Sequence, residues 1–301
     1  MTAATTGLDW QRDGQDWPNR GASRFVESAG LTWHIQETGQ GPRLLLVHGT
    51  AASTHSWRGL LPLLARRYNV LAPDLPGHGF TTAPPKSRLS LPGMAHDLGA
   101  LLQDVRFVPD ICVGHSAGAA ILVRQALDGV IAPKAIVSLN GALLPFDGMG
   151  GVLFPALAKL LFVNPVMPRL VAWRANDIKA VERLILGTGS TIDRAGLEDY
   201  RRLFSSERHA GTALAMMANW SLDVLKRELS RLSVPLELVA AAEDRAIPPA
   251  VAFEVKTMVA DAHVSFVRGL GHLAHEEDPE RIARLIEDRT DARLGSVGSA
   301  E

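Results

Sequence analysis

The chain has 301 residues, 47% hydrophobic and 21% charged, which suits one large α/β domain with an insertion or two modest domains, each able to bury a sizeable core. A net charge of -1 with no basic run excludes nucleic acid as a partner. Cys112 is the single cysteine, which excludes a disulfide framework and a thiolate metal cluster.

The opening "MTAATTGLDWQRDG" lacks a basic segment followed by an apolar one, so a cytoplasmic location is expected. Residues 1–22, polar and broken by Gly14 and Pro18, read as an irregular arm. "SRFVES" and "LTWHIQETG" read as paired strands joined near Gly30, and "RLLLVHG" and "NVLAPD" as buried strands flanking an amphipathic helix in "SWRGLLPLLARR". A helix in "LPGMAHDLGALLQDV", a strand in "ICVGH", a helix in "AGAAILVRQALDG" and a strand in "KAIVSLNG" follow. "PLELVAA", "HVSFVRG" and the helix "PERIARLIED" resume the pattern before a polar tail, "RTDARLGSVGSAE". Alternating strands and helices predict an α/β fold with a mostly parallel sheet covered on both faces. Cys112, inside an apolar strand, reads as a core residue.

The alternation is interrupted from Leu143 to Leu232 by apolar, helix-forming sequence without a convincing strand. Pro155, Lys159, Asn164, Pro165 and Pro168 break its first stretch before about 20 apolar residues accumulate, which argues against a transmembrane span. The expected organisation is an arm at 1–22, a core at 23–142 and 233–289, an inserted helical cap at 143–232 and a flexible tail at 290–301. Peripheral membrane contact through a cap helix fits this composition.

"VGHSAGAA" places Ser116 between an apolar strand and a helix, with small residues on both sides. That is the spacing of a nucleophile elbow, in which a sharp turn aims a serine hydroxyl into a cleft. Serine needs a base to take its proton, an acid to orient the base and donors for an oxyanion. "LVAAAEDRAIPP" puts Asp244 just after a strand, with Glu243 as its neighbouring rival, and "VRGLGHLAHEEDP" puts His272 after the last strand, with His275 as the fallback. The oxyanion donors are expected to be the amides of Ala117 and of Thr50, or else Ala51, in "HGTAAST". Serine, acid, histidine is the chain order of α/β-hydrolases.

"LLLVHGTAAS", "APDLPGHGFT", "VGHSAGAA", "AAEDRAIPP" and "GLGHLAHEEDPE" together resemble the α/β-hydrolase superfamily from about Phe25 to Glu287. More narrowly, "DWPNRGASRFVESAGLTWHIQETGQGP", "HGTAASTHSWRGLLPLLARRY", "VSLNGALLPF" and "ALAMMANW" are similar to the magnesium-chelatase accessory family of bacteriochlorophyll synthesis. That likeness implies a role near magnesium insertion into protoporphyrin IX, with a porphyrin or its ester as small-molecule substrate and transient contact with magnesium chelatase. The chain has no G-x-x-x-x-G-K-[ST] phosphate loop, so it is not the ATP-driven motor. No cofactor and no metal cage is expected, and His34, His55, His78, His96, His209 and His263 are scattered singly.

A flat apolar ligand edged with carboxylates needs aliphatic, methionine and aromatic walls plus a few cations. Met149, Phe154, Met167, Trp173, Met216 and Trp220 are candidate walls, with Phe162 and Met217 beside them, and Arg169 and Arg174 are candidate partners for propionates. Apolar residues at helical spacing equally build a cap's own core. Three functions follow: a serine hydrolase of the pigment pathway, a noncatalytic porphyrin-binding or chelatase-docking accessory on the same scaffold, and a general serine esterase outside that pathway.

Overall fold

The structure, a computed structural model, describes residues 7–145 and 166–295. Eight strands form one sheet: β1 (Ser23–Ser28), β2 (Leu31–Thr38), β3 (Arg43–Val47), β4 (Asn69–Pro73), β5 (Ile111–His115), β6 (Ala135–Leu139), β7 (Leu236–Ala241) and β8 (Ala262–Val267). Their order is β1-β2-β4-β3-β5-β6-β7-β8. β2 pairs antiparallel with both neighbours, and β4, β3, β5, β6, β7 and β8 run parallel. Ala29 and Gly30, both at positive φ, close the β1–β2 hairpin in two residues, as a turn matched to strand twist requires.

The central strands are apolar on both faces because both faces are covered. Leu45 and Val47 join a core built with helices α2 (Leu91–Asp104) and α3 (Ala117–Leu127), while Leu44 and Leu46 point into a second core. That second core includes α1 (Leu60–Leu64) and Ile282 and Ile286 of the last helix. Truncating a leucine in either core costs about 2–5 kcal/mol. Cys112 is fully buried and burial pushes its thiol well above the ordinary range, as expected of a core residue.

The interrupting segment contributes α4 (Met167–Ala175), α5 (Ile178–Gly187), α6 (Arg194–Phe204), α7 (Glu207–Ala218) and α8 (Asp223–Glu228). The end of this insertion behaves differently from the rest. Leu222, Leu225, Leu229 and Leu232 belong to the core beneath the sheet, whereas Val181, Ile185, Leu197 and Tyr200 form a separate cluster.

Two local features add to the sequence expectations and one departs from them. A helix, α9 (Ala250–Met258), fills the connection between β7 and β8, as two parallel neighbours demand. The last helix, α10 (Pro279–Leu294), runs through Arg289–Leu294, which polarity alone assigns to the tail, because Ile286 and Thr290 keep one face buried. The arm is anchored: Trp17 is buried and its indole N–H donates to Thr54 Oγ1 at 3.1 Å.

Candidate active site

β5 ends at His115 and α3 begins at Ala117, leaving Ser116 alone in the turn at φ +51, ψ -117. A non-glycine residue there carries strain of about 1–3 kcal/mol, of the kind kept at functional sites. Two glycines permit the turn. A Cβ on Gly114 would sit 2.5 Å from the Ala119 nitrogen, and one on Gly118 would collide with the Val47 carbonyl oxygen. The Ser116 side chain does not cap its own helix, so its hydroxyl is left for other work. Ala117, as the first helical residue, has an amide N–H without an intrahelical acceptor, at the positive end of the helix dipole.

Asp244 and His272 meet from the ends of β7 and β8. His272 Nδ1 lies 2.8 Å from Asp244 Oδ2, and both residues are buried. Asp244 Oδ1 accepts the amides of Ala246 and Ile247, each at 2.8 Å, which fixes the carboxylate plane. The rival Glu243 is exposed. The His272 ring lies 4.6 Å from that of His115, the residue preceding Ser116, and His115 Nε2–H donates to the His272 carbonyl at 3.0 Å. His275 is fully buried without a hydrogen bond on either nitrogen, and burial pushes it down to about 3. It packs 4.6 Å from Trp57 and 4.5 Å from His115. A histidine so placed is a packing residue.

The sequence reading missed the residues that hold these loops. Asn140, at φ +47, donates to the carbonyls of Gly271 (3.1 Å) and His272 (2.9 Å) and accepts the Ala241 amide at 2.8 Å. One side chain thus ties together the ends of β6, β7 and β8. From the insertion, Ser190 Oγ accepts the Leu273 amide at 2.8 Å and the Thr188 carbonyl accepts the Arg245 amide at 3.0 Å. The signal for Asn140 was "SLNG", an asparagine able to adopt left-handed backbone at a strand end; Ser190 left none.

The loop after β3 lies against the elbow: a Cβ on Gly49 would approach Ser116 Cβ to 3.0 Å. A turn closed by the Ala52 amide on the Gly49 carbonyl at 3.2 Å carries Thr50 and Ala51 at its tip, with Ala51 at φ +65. His48 Nδ1–H donates to the Gly49 carbonyl at 2.8 Å while its Nε2 accepts the Leu75 amide at 2.8 Å. Burial lowers its basicity, in keeping with the neutral ring that this pairing requires. α7 braces the same turn. His209 Nε2–H donates to the Ala51 carbonyl at 3.1 Å, and Thr50 Oγ1 lies 3.6 Å from Met216 Sδ.

A second serine–histidine–aspartate series shows what the elbow adds. Ser23 Oγ lies 3.0 Å from His34 Nε2, and His34 Nδ1 lies 2.7 Å from Asp74 Oδ2. Asp74 also accepts the amides of Thr54 (2.6 Å) and Phe80 (2.9 Å). Ser23, however, has ordinary extended backbone where it caps a 3₁₀ turn, and its hydroxyl accepts from Gln36 Nε2 at 3.2 Å. Its histidine is enclosed by Trp10, Phe25 and Phe80. This series ties β1, β2 and β4 to the loops around Thr54 and Phe80.

The proposed ligand walls divide. Met149, Phe154 and Phe162 lie outside the described residues. Met216 is fully buried beside Thr50, and Trp220 is partly buried against the core that includes α2 and α3. Met167 is half-buried at the start of α4. Arg169 and Trp173 point outward, with the Arg169 side chain 60% exposed and Trp173 68% exposed, because the face of α4 carrying Ala172 and Ala175 is the buried one. Neither therefore lines a cleft beneath the cap, and Arg174, 51% exposed, is likewise outside. His34, His55, His78 and His209 are buried; the His96 and His263 side chains are 78% and 55% exposed.

Four residues beyond His272, Glu276 accepts the Tyr200 hydroxyl of α6 at 2.8 Å while its other oxygen is buried without a partner. Burial pushes its carboxyl up from 4.5 to about 8, and that of nearby Asp199 to about 6. An unfolded chain releases the Glu276 proton above 4.5 and the folded chain holds it, so stability present at acid pH is lost as pH rises toward about 8. Glu276→Gln keeps the acceptor for Tyr200 and has no proton to lose. The variant is expected to melt above the wild type at alkaline pH, with the gap closing toward pH 4.5. A gap independent of pH in thermal melts would contradict this assignment.

A strained serine at a strand-to-helix turn, a histidine–aspartate pair from the ends of β7 and β8 and a glycine loop against the serine are the parts of this site. The family model described as the alpha/beta hydrolase family matches residues 44–285. The chain belongs to the α/β hydrolase family. It is 38% identical over 275 residues to the magnesium-chelatase 30 kDa subunit of Rhodobacter capsulatus, covering 91% of this chain and 96% of that one. It is 29% identical to pyrrolizixenacetamide deacetylase of Xenorhabdus hominickii, covering 82% and 90%. The crystal structure of an α/β hydrolase fold protein from Burkholderia ambifaria superposes with a TM-score of 0.74 at 25% identity, covering 89% and 100%. The α/β-hydrolase fold expected from the sequence is the fold found.

Proposed function

We propose that this α/β hydrolase uses Ser116, His272 and Asp244 to cleave an ester or related acyl bond, and that it serves magnesium insertion into protoporphyrin IX in bacteriochlorophyll synthesis. The observation that supports the chemistry is the 2.8 Å bond between His272 Nδ1 and Asp244 Oδ2, with the His272 ring 4.6 Å from that of His115, the residue before Ser116. Ser116 Oγ attacks the acyl carbon as His272 Nε2 takes its proton. Asp244 accepts the Nδ1–H bond and stabilises the imidazolium. The amides of Ala117 and Thr50 receive the negative charge that develops on the carbonyl oxygen. His272 then protonates the departing alcohol or amine, and water, deprotonated by the same ring, releases the acyl group from Ser116. The pathway assignment is supported by likeness to a magnesium-chelatase subunit over nearly its whole length. That same likeness favours a second reading, a noncatalytic accessory that binds porphyrin or docks on the chelatase.

Deletion from a photosynthetic host separates the readings. Bacteriochlorophyll is expected to fall and protoporphyrin IX to accumulate; unchanged pigments would remove the pathway and leave a general esterase. Ser116→Ala, present at normal abundance, is expected not to restore pigment. Rescue by that variant would establish the scaffold as the working part.

A further inference from the structure

We propose that the outward face of α4 is a docking surface for an anionic lipid bilayer. α4 turns Ala172 and Ala175 inward, against α6 and α7. Its opposite face carries Leu170, 47% exposed, and Trp173, 68% exposed. Residues three and four apart are neighbours on a helix surface, so Arg169 lies beside Trp173 and Arg174 beside Leu170. The apolar patch is therefore edged by one arginine on each side. Both guanidinium groups are at least half exposed. Leu184 and Leu186 of the adjoining α5 are also exposed, 55% and 46%, on opposite flanks of that helix.

This arrangement matches a lipid interface in two independent respects. A tryptophan beside a leucine buries apolar area while its indole N–H remains at headgroup depth. Arginines on the two edges can lay their stems along acyl chains and keep their charge among phosphates. α4 and α5 carry four basic residues, Arg169, Arg174, Lys179 and Arg183, against one acid, Glu182, with Asp177 between them. Those charges are lightly engaged: Arg169 meets Glu207 at 3.4 Å, and Asp177 meets Arg174 at 3.3 Å and Arg183 at 3.7 Å. Exposed pairs of that kind contribute little and exchange readily for phosphate. With Asp177 and Glu207 counted, one positive charge is left over, and that surplus favours anionic over neutral lipid. Among the described residues no helix is long and apolar enough to cross a membrane, so attachment is to the surface.

The test is flotation of the full-length protein with vesicles of equimolar phosphatidylcholine and phosphatidylglycerol, beside vesicles of phosphatidylcholine alone. Wild type is expected to float with the anionic vesicles, far less with the neutral ones, and to be released by high salt. Leu170→Ala with Trp173→Ala, and separately Arg169→Gln with Arg174→Gln, are each expected to weaken binding about tenfold or more. All four side chains are exposed, so the melting temperature should not move. Wild type that stays unbound, binding that ignores both double variants, or equal binding to both vesicle types would overturn the proposal. So would wild type that elutes as a dimer and becomes a monomer on losing Leu170 and Trp173, because the patch would then belong to a second copy.

Discussion

Replacing Ser116 by alanine is expected to lower the turnover of a short acyl ester by roughly 10⁴-fold or more while the protein stays folded. The change removes one hydroxyl from a position whose strain is carried by the backbone. Ser116 holds φ +51 because its amide donates to the Leu139 carbonyl at 3.0 Å, and its own carbonyl accepts the amides of Ala119 and Ala142 at 3.2 and 3.1 Å. None of these bonds uses the side chain. Alanine therefore inherits the turn, and the loss falls on the chemical step. Steady-state kinetics check this: kcat should collapse with little change in melting temperature. A variant keeping a tenth or more of wild-type kcat would show that the elbow is idle.

His272→Ala should be nearly as damaging, again by about 10⁴-fold, since nucleophile and base act as a unit. His275→Ala should do the opposite, keeping most of the turnover and losing stability. The His275 ring fills space between Trp57 and His115 without a hydrogen bond, so its removal leaves a cavity worth about 2–4 kcal/mol. Turnover and melting temperature measured on both variants distinguish the two roles. A variant pair in which His275→Ala abolishes turnover and His272→Ala spares it would reverse the assignment of the base.

Much of this architecture is legible in sequence because strands buried on both faces announce themselves. "RLLLV" and "ICVGH" are continuous apolar runs, and the residues that matter chemically sit one to five positions beyond such runs, where glycines mark the turns. Interactions formed only by the finished fold are not legible. Asn140, Ser190 and His209 are single polar residues whose partners lie far away in the chain. α9 is hidden behind Pro248 and Pro249, which read as loop, although Pro249 serves as its N-cap. In α4 the apolar spacing identifies a stripe without saying which side the protein covers, and small Ala172 and Ala175, not Trp173, proved to be the buried face. Likewise one tryptophan, Trp17, anchors an arm whose polarity suggested none.

The central claim is that Ser116 is a working nucleophile, and reaction of the folded wild-type protein with a fluorophosphonate, followed by peptide mass mapping, tests it most directly. The account predicts one covalent adduct on Ser116, lost in Ser116→Ala and strongly slowed in His272→Ala. A folded wild type that takes no adduct, or one labelled instead at Ser23 beside His34, would contradict it.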